Sequence, residues 1–310
     1  MIKPHQPNYS GGYFNVYKPK SWTSSDVVRK LKGLTGFRKI GHGGTLDPIA
    51  TGILPICFGP ATRLAQNTLL GTKEYVVEIT LGTATDTYDS LGTITKQMNY
   101  DRINVHNIEE ILNVFTGTFE QIPPMYSALR HNGARLYQLA RNGIEVPRKP
   151  RKVKVYANDI LSWNPPVLIL HVECSHGFYA RGLANDLGKK LGSVAHMSGL
   201  QRTRSGVFGM DTIKTLEEIQ EAITDNLWED IVLPLDFTLG HMSKIYLNST
   251  SQKLIQHGQP LPILLSNVIK DHCTDGEKIR AYSENNDLIA ILKFDAKIQG
   301  WQPDKVLLPL

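Results

Sequence analysis

Asp47 is the first candidate for chemistry in this sequence. It stands in the segment Gly41-His-Gly-Gly-Thr-Leu-Asp-Pro48, as the single carboxylate of a stretch rich in glycine and proline. Glycines permit backbone conformations and a close approach of a ligand that a β-carbon would prevent, and functional residues are frequent on such loops. An aspartate can also simply cap a turn, and the composition of the loop alone favours that structural role.

Four other side chains could serve such a carboxylate in a reaction on a nucleic-acid base. Arg181 could pair with Asp47 and hold it ionised, because an opposite charge nearby lowers the pKa of a carboxyl group. Tyr75 and Tyr179 offer flat faces for a base, and His42 could enter the stack that a flipped base leaves. Each also has a plainer interpretation, as a core tyrosine, a charge on a helix surface or a turn residue. The sequence alone does not show that they meet.

Other catalytic classes lack their motifs here. Zinc hydrolases need HExxH and zinc deaminases need HxE with PCxxC, and neither pattern occurs. The phosphate-binding patterns GxxxxGKS and GxxxxGKT are absent, and Gly41-His-Gly-Gly44 lacks the strand-GxGxxG-helix context of a dinucleotide site. Nothing in the sequence therefore indicates a metal centre or a nucleotide cofactor.

The composition is that of an ordinary globular protein. The chain has 310 residues, of which 41% are hydrophobic and 20% charged, and its length predicts two domains. A net charge of +5 fits a polyanionic partner without identifying one. Three distant cysteines without CxxC predict no disulfide framework and a reducing compartment. Because there is no signal-peptide pattern and no long apolar stretch, we expect a cytoplasmic protein without a membrane anchor.

Hydrophobic periodicity predicts the elements that must position these residues. Apolar alternation or short apolar runs predict strands at residues 14–17, 75–81 and 167–174. Helical spacing predicts helices capped by Ser24 or Ser25, over residues 105–115 and 136–142, directly after Arg181, and from Thr215. Residues 40–59, rich in glycine and proline, predict a loop rather than a regular element. Short β-like runs at 278–282, 288–294 and 305–308 predict a small β domain from about Ser243.

A basic run follows the predicted helix that ends at Gly143. Residues 148–154 hold five cations in seven positions, a density that suits contacts to phosphates. The same run is equally typical of a solvated charged loop, so charge alone leaves both interpretations open.

A distributed set of motifs completes the pattern. It comprises Tyr17-Lys18-Pro19, Gly41-His-Gly-Gly-Thr-Leu-Asp-Pro48, Thr85-Asp-Thr87, Gln121-Ile-Pro-Pro-Met-Tyr-Ser-Ala128, Gly133-Ala-Arg-Leu-Tyr137, Tyr179, Arg181 and Leu200. Together these resemble the bacterial tRNA pseudouridine synthase B (TruB) family, whose members isomerise the uridine at position 55 in the T loop of tRNA. The resemblance is strong over roughly residues 12 to 240 and weak beyond them.

The resemblance implies an α+β fold. A pseudouridine synthase catalytic domain, built on a mixed, mostly antiparallel sheet flanked by helices, is expected at residues 1–242, with an RNA-gripping insertion at about 120–152. Residues 243–310 are expected to form a small PUA-like RNA-binding β domain. The expected partner is the T-arm stem-loop of tRNA. We expect a monomer without an obligatory protein partner. No cofactor is expected, because the isomerisation is redox-neutral and needs no activated group.

By the same resemblance Asp47, Tyr75 and Arg181 are expected to be catalytic, with Arg181 as the ion-pair partner of Asp47 and Tyr75 stacked on the target uracil. Tyr179 and Leu200 are expected to line the uracil pocket, and His42 to occupy the space that the flipped base leaves. Contacts to the RNA are expected from the cationic residues Lys18, Arg148, Lys149, Arg151, Lys152 and Arg202.

Several functional alternatives stay open. Asp47 could attack C1′ of the ribose or C6 of the uracil, or abstract the proton at C2′ to give a glycal-like intermediate. The protein could belong to the guide-RNA-dependent branch of the same superfamily, or be a tRNA-binding chaperone. A glycosidase with paired carboxylates would enlist Asp86 or Asp89 beside Asp47 and would release free uracil.

The sequence departs from the usual pattern of the family at three sites. Ser21 stands where glycine is usual, Gly43 where threonine is common, and His176-Gly-Phe178 where a lysine-glycine-threonine pattern is frequent. None of these is an expected catalytic position. They bear on the geometry of the loops around Asp47 and on the breadth of substrates.

Overall fold

The computed structural model describes residues 11–262 and 273–308. Its strands are β1 (Gly12–Lys18), β2 (Ile40–His42), β3 (Thr51–Phe58), β4 (Lys73–Leu81), β5 (Thr83–Thr85), β6 (Ile94–Gln97), β7 (Gly117–Gln121), β8 (Arg130–His131), β9 (Ala134–Arg135), β10 (Arg151–Asn164), β11 (Val167–Cys174), β12 (Ala195–Ser205), β13 (Lys244–Tyr246), β14 (Leu261–Pro262), β15 (Lys278–Tyr282), β16 (Leu288–Asp295) and β17 (Gly300–Val306). Its α-helices are α1 (Ser24–Thr35), α2 (Ala65–Leu70), α3 (Val105–Val114), α4 (Leu136–Arg141), α5 (Ala180–Lys190), α6 (Leu216–Thr224) and α7 (Ser249–Gln256). No helix within these two ranges is long and apolar enough to cross a membrane.

An eight-stranded sheet carries the larger part of the chain. Its strands follow the order β1-β3-β12-β4-β11-β10-β7, and β2 pairs with β3 beside this path. The pairing of β12 with β3 is parallel. The other pairings in this sheet are antiparallel. The predicted α+β fold on a mixed, mostly antiparallel sheet is therefore confirmed.

Two hydrophobic cores form against this sheet. In the first, called here the α3/α5 core, buried side chains such as Leu187 pack on β4 and β11. In the second, the α1/α6 core, side chains such as Leu31 pack on β1 and β3. Tyr75 and Leu200 are partly buried and pack against both cores. The centre of the sheet, where these two residues lie on β4 and β12, is thus the junction between the cores.

The prediction of a continuous loop over residues 40–59 is wrong, because this segment contains β2 and β3. Strand β3 is buried on both faces: Leu54 and Ile56 belong to the α1/α6 core, whereas Ile53 and Cys57 pack in another cluster. A strand with two apolar faces lacks the alternation that a half-buried strand shows. The glycine and proline within it made the segment look irregular, although it lies inside the sheet.

Helix α1 also starts differently from the prediction. Its N-cap is Thr23, whose hydroxyl accepts a hydrogen bond from the backbone N–H of Asp26 at 3.1 Å, while the Asp26 carboxylate accepts one from the N–H of Thr23 at 2.9 Å. The predicted cap Ser24 instead bonds to the backbone of Leu46. The predicted start of α6 at Thr215 is confirmed by the same reciprocal capping pattern.

The C-terminal part of the chain forms a second sheet of five strands, in the order β13-β15-β16-β17-β14, with its own core around Trp301. The predicted strands at 278–282 and 288–294 are confirmed, whereas the last strand starts at Gly300 and not at Lys305. Leu288 and Leu307 of this part pack against Leu239. The domain boundary at 242/243 and the RNA-binding role of this unit stay predictions.

Candidate active site

Asp47 lies on the segment that joins β2 to β3, residues 43–50, called here the aspartate loop. Leu46 is buried in the α1/α6 core and Ile49 in the α3/α5 core, so Asp47 stands between two anchors that belong to different cores. The hydroxyl of Ser24 accepts a hydrogen bond from the N–H of Leu46 at 2.8 Å and donates one to its carbonyl at 3.2 Å. The loop is therefore held on both sides of the aspartate.

Arg181 pairs with Asp47 at two points. Its Nε lies 2.9 Å from Oδ2 of Asp47, and its Nη2 donates to Oδ1 at 3.0 Å. The arginine belongs to the first turn of α5 and its side chain is only 6% exposed, whereas the Asp47 side chain is 30% exposed. Two parallel N–H···O bonds fix the orientation of a carboxylate as well as its charge. The ion pair that the resemblance implies is therefore present.

The same guanidinium joins two further segments of the chain. It donates to the carbonyl of Thr87 at 3.2 Å and to that of Tyr126 at 2.7 Å. Its Nη1 lies 3.7 Å from Oδ2 of Asp89, a buried carboxylate. Asp89 is itself held by the hydroxyl of Thr87 at 2.8 Å. One arginine thus connects the aspartate loop to the turn around Asp89 and to the segment after β7.

Burial is the main influence on the protonation of Asp47, and it raises the pKa of this carboxyl. The charge of Arg181 lowers the pKa of Asp47 and opposes that rise, as expected, while the charge of Asp89 adds to it. The proton equilibrium of Asp47 therefore depends on its burial and on both of these neighbours.

Tyr75 and Tyr179 converge on this pair. Tyr75 packs against the two cores that hold Leu46 and Ile49, and Tyr179 lies two residues before Arg181. Burial raises the pKa of both phenols, and the negative charge of Asp47 adds to the rise in each. Tyr75 lies on β4 at the junction of the cores. Tyr179 is the N-cap residue of α5, and its backbone N–H and C=O bond to the side-chain amide of Gln121 at 2.8 and 2.9 Å. A raised pKa keeps both hydroxyls protonated and both rings neutral at physiological pH.

His42 is the last residue of β2 and directly precedes the aspartate loop. Burial lowers the pKa of its imidazole, so the ring is neutral at physiological pH. Its Nδ1 is buried and has no hydrogen-bond partner among the described residues. Leu200 lies two positions before Arg202 on β12 and packs beside Tyr75 against both cores. The structure therefore places five candidate residues around the aspartate loop, although the sequence alone could not show that they meet: His42, Tyr75, Tyr179, Arg181 and Leu200.

The expected RNA contact of Lys18 is wrong. This side chain is fully buried. Its ammonium donates to the carbonyls of Pro19, Trp22 and Pro48 at 2.9, 2.6 and 3.4 Å. Burial lowers the pKa of Lys18 to about 8. The lysine cannot reach a phosphate, since it ties the turn before α1 to the aspartate loop.

The expected RNA contact of Arg202 is wrong for the same reason. Arg202 is 1% exposed, and its guanidinium donates to the carbonyl of Ile53 at 2.7 Å and to that of Gly44 at 3.2 Å. It pairs in register with Tyr75 on the neighbouring strand, and its charge opposes the rise in the pKa of that phenol. Arg202 therefore supports the aspartate loop from the protein interior and does not lie on a surface that RNA could contact.

The basic run has a mixed outcome. Lys149, Arg151 and Lys152 are exposed. The guanidinium of Arg148 already makes hydrogen bonds within the protein, to a carboxylate oxygen of Glu145 at 2.8 Å and to the carbonyl of Pro123 at 3.1 Å. The run leads into β10, which pairs with the edge strand β7, so residues 122–150 form an excursion between two neighbouring strands at one side of the sheet. The three exposed cations lie where this excursion returns to the sheet.

Two supporting residues were missed from sequence. Asp89 belongs to the stretch that carries the resemblance, but the only role considered for it was that of a second carboxylate in a glycosidase, although its position in a polar turn, Thr85 to Asp89, could have suggested a buried anchor. Gln121 heads one of the motifs, but no role could be assigned to it from the sequence, because its side chain holds the backbone of Tyr179, which lies far away in sequence. Among the described residues there is no group of three or more His, Cys, Asp or Glu side chains placed to hold a metal ion.

The backbone at Ser21 explains why glycine is usual at this position of the family. Its φ is 69°, in the left-handed region where glycine is favoured, and its N–H donates to the carbonyl of Pro48 at 2.8 Å. We expect Ser21→Gly to raise the free energy of unfolding by up to about 1 kcal/mol, because it removes the β-carbon strain. Thermal or urea unfolding measures this. Ser25→Gly, in the exposed first turn of α1, is the matched control and should lower stability. A less stable Ser21→Gly protein would contradict the assignment of strain.

Comparisons with known proteins show the family of the chain. Residues 32–180 match the family described as "TruB family pseudouridylate synthase (N terminal domain)", and residues 181–240 match "tRNA pseudouridylate synthase B C-terminal domain". The chain is 39% identical over 297 residues to "tRNA pseudouridine synthase B" of Dehalococcoides mccartyi, covering 96% of each chain. It is 41% identical over 247 residues to the protein of the same name from Clostridium tetani, covering 80% of this chain and 84% of that one.

Solved structures show the same fold. The chain superposes on a protein in the "Crystal Structure of a Cbf5-Nop10-Gar1 Complex" with a TM-score of 0.73 and 25% identity, covering 97% of this chain and 86% of that one. Fold and site together define a pseudouridylate synthase. More narrowly, the chain belongs to the TruB family of these enzymes, which confirms the resemblance predicted from its motifs.

Proposed function

We propose that this enzyme isomerises uridine-55 in the T loop of tRNA to pseudouridine. The observation that carries the proposal is the two-point pairing of Arg181 with Asp47 beside Tyr75, at the junction of the two cores. The relatives named tRNA pseudouridine synthase B, which align over nearly the whole chain, support tRNA as the substrate.

The reaction detaches uracil from C1′ of the ribose through nitrogen, rotates it, and reattaches it through carbon. Asp47 acts at the sugar or at the base, since its carboxylate is partly exposed and its orientation is fixed by the fork of Arg181. Attack on C1′ or C6 and proton abstraction at C2′ are both compatible with that geometry. The isomerisation is redox-neutral and needs no activated group, so the proposed mechanism uses only side chains of the protein.

The other residues around the loop bind and orient the uracil in this proposal. Tyr75 stacks on the flipped base, and Tyr179 and Leu200 form the walls of its pocket. Base flipping requires a substitute in the vacated stack, and a neutral, half-buried imidazole at His42 suits that task better than a charged one. Tyr75 and Leu200 pack against both cores, which supports a pocket whose walls are formed before RNA binds.

The exposed cations at the base of the excursion are proposed to bind the backbone of the T arm. Replacing Lys149, Arg151 and Lys152 together by glutamine should weaken RNA binding and reduce the slope of log affinity against log salt by about one unit for each phosphate that is no longer bound. Filter binding at several salt concentrations measures the slope. Replacing Lys189 and Lys190, exposed at the far end of α5, is the control and should leave it unchanged. An equal slope in the triple variant would remove these residues from the interface.

The C-terminal sheet is proposed to be a PUA-like RNA-binding domain that extends the same interface, in a monomer that works without a protein partner. Its placement against the catalytic part is supported by the packing of Leu288 on Leu239 and by the hydrogen bond from the hydroxyl of Tyr282 to Asp236 at 2.6 Å. A fixed placement lets both parts bind one RNA molecule without a further ordering cost.

One experiment tests the function as a whole. Purified protein is incubated with an unmodified tRNA transcript in the presence of EDTA, and pseudouridine is mapped along the RNA. We expect pseudouridine at position 55 alone, without added guide RNA or protein. A requirement for guide RNA and partner proteins would favour the guide-dependent class, release of free uracil would favour a glycosidase, and tight binding without modification would favour a chaperone.

A further inference from the structure

Gly43 is the first residue of the aspartate loop, and its missing side chain leaves room for a neighbour. A β-carbon built on Gly43 would lie 2.6 Å from the β-carbon of Thr68 on α2, and still closer to its hydroxyl oxygen. Real β-carbons do not approach other atoms so closely. The side chain of Thr68 therefore occupies the space that any larger residue at position 43 would need.

Thr68 is held in place and cannot simply turn away. It is 1% exposed, and its hydroxyl donates to the carbonyl of Ala65 at 2.6 Å. Its own carbonyl accepts a hydrogen bond from the buried ammonium of Lys73 at 3.1 Å. The side-chain rotamer and the backbone at this position are both fixed, so Thr68 forms a firm surface against the loop.

Two hydrogen bonds also hold the start of the loop in place. The N–H of Gly43 donates to the carbonyl of Pro55 at 2.7 Å, and the carbonyl of Gly44 accepts from Arg202 at 3.2 Å. Asp47 follows three residues after Gly44. A displacement at Gly43 would thus be transmitted to Asp47 through a short backbone segment whose ends are fixed.

We propose that Thr68 is a positioning residue for the isomerisation: by packing against Gly43 it sets the position of the aspartate loop, and hence the placement of Asp47 and of His42 in the uracil site. The proposal rests on the proposed function. It identifies Gly43 and Thr68 as a matched pair, in which a larger residue at one position requires a smaller residue at the other.

A double-mutant cycle tests the pair. Gly43→Ala should lower the single-turnover rate at saturating tRNA by about 100-fold, because a displacement of about 1 Å at a reacting group has that order of effect. Thr68→Gly removes all three side-chain atoms near the new methyl group, and by itself it should lower the single-turnover rate less than Gly43→Ala does. The double variant Gly43→Ala, Thr68→Gly should be at least as active as Thr68→Gly alone. Thr68→Ala keeps the β-carbon 2.6 Å away and should rescue Gly43→Ala poorly.

The control is Gly41→Ala, on β2, where an added β-carbon meets no atom within 4 Å. The fold-decrease in its single-turnover rate should be at least about ten times smaller than the fold-decrease for Gly43→Ala. Each rate is measured at a temperature where unfolding curves show the variant folded, and RNA affinity is measured separately, so a loss of folded protein is not mistaken for a displaced loop. Multiplicative losses in the double variant, or equal losses in Gly41→Ala and Gly43→Ala, would overturn the proposal.

The cycle also separates this proposal from the proposed function. If wild-type protein does not modify tRNA, the function is wrong whatever the variants do. The contact itself is then read from thermal unfolding: Gly43→Ala should lower the Tm, and Thr68→Gly should restore part of that loss in the double variant. Additive changes in Tm would show that the two positions do not interact.

Discussion

Asp47→Asn is expected to lower the rate of pseudouridine formation by at least about 10³-fold, since it removes the carboxylate on which both chemical routes depend. The amide has nearly the same shape, and its oxygen can still accept one hydrogen bond from Arg181. The variant should therefore fold, and it should bind tRNA with an affinity close to that of the wild type. The expected separation of binding from turnover is the signature of a catalytic residue.

Single-turnover rates at saturating RNA, together with filter binding, measure both quantities. Asp159→Asn makes the same chemical change on β10, where the side chain is 70% exposed, and should leave the rate unchanged. Activity of Asp47→Asn within tenfold of the wild type would remove Asp47 from the reaction, and a parallel loss of RNA binding would point to a structural role.

Arg181→Met is expected to have the second large effect, on both activity and stability. It leaves Asp47 and Asp89 buried near each other without their shared cation, and it leaves the carbonyls of Thr87 and Tyr126 without this donor. Removing one partner of a fully buried pair commonly costs about 3–5 kcal/mol. Because the Asp47 side chain is 30% exposed, the loss here should not exceed the lower end of that range. Arg181→Lys retains the charge but loses the fork, so it should recover stability more than rate.

The same substitution gives a pH prediction. Arg181 lowers the pKa of Asp47 against the dominant effect of burial, so its loss raises that pKa further. If the ionised carboxylate is the active form, activity increases as the pH rises through this pKa. The acidic limb of the pH–rate profile should therefore move to higher pH in Arg181→Met. An unchanged limb would mean that another group controls it.

Arg29→Met is the matched control for Arg181→Met. Arg29 pairs with Asp26 at 2.9 Å, but its side chain is 77% exposed on α1. Surface pairs of this kind are worth up to about 1 kcal/mol, so both stability and the pH profile should change little. If Arg29→Met lost as much stability as Arg181→Met, the buried network around Arg181 would not explain the loss.

The local pattern of apolar residues was sufficient to predict the half-buried strands. Strand β11 was predicted over residues 167–174, where the structure has it, and β4 within two residues at its start. Their alternation reflects one apolar face and one polar face, a property that neighbouring residues carry among themselves. The capping pattern at Thr215 is local in the same sense. Strand β3 was missed because its two apolar faces depend on partners from distant parts of the chain.

The sequence by itself determined the family and supplied Asp47 and its expected neighbours as candidates for the site, because a motif is a local order of residue types that can be read without the fold. Only the tertiary structure decided which cations face inward. Lys18 and Arg202 look like RNA-binding residues in the sequence, yet both are buried and bonded to backbone carbonyls. Likewise only the fold brings Thr68 against Gly43 and Asp89 against Arg181. The physical reason is that burial and contact arise from strand pairing and packing between distant segments, which the spacing of residues along the chain does not encode.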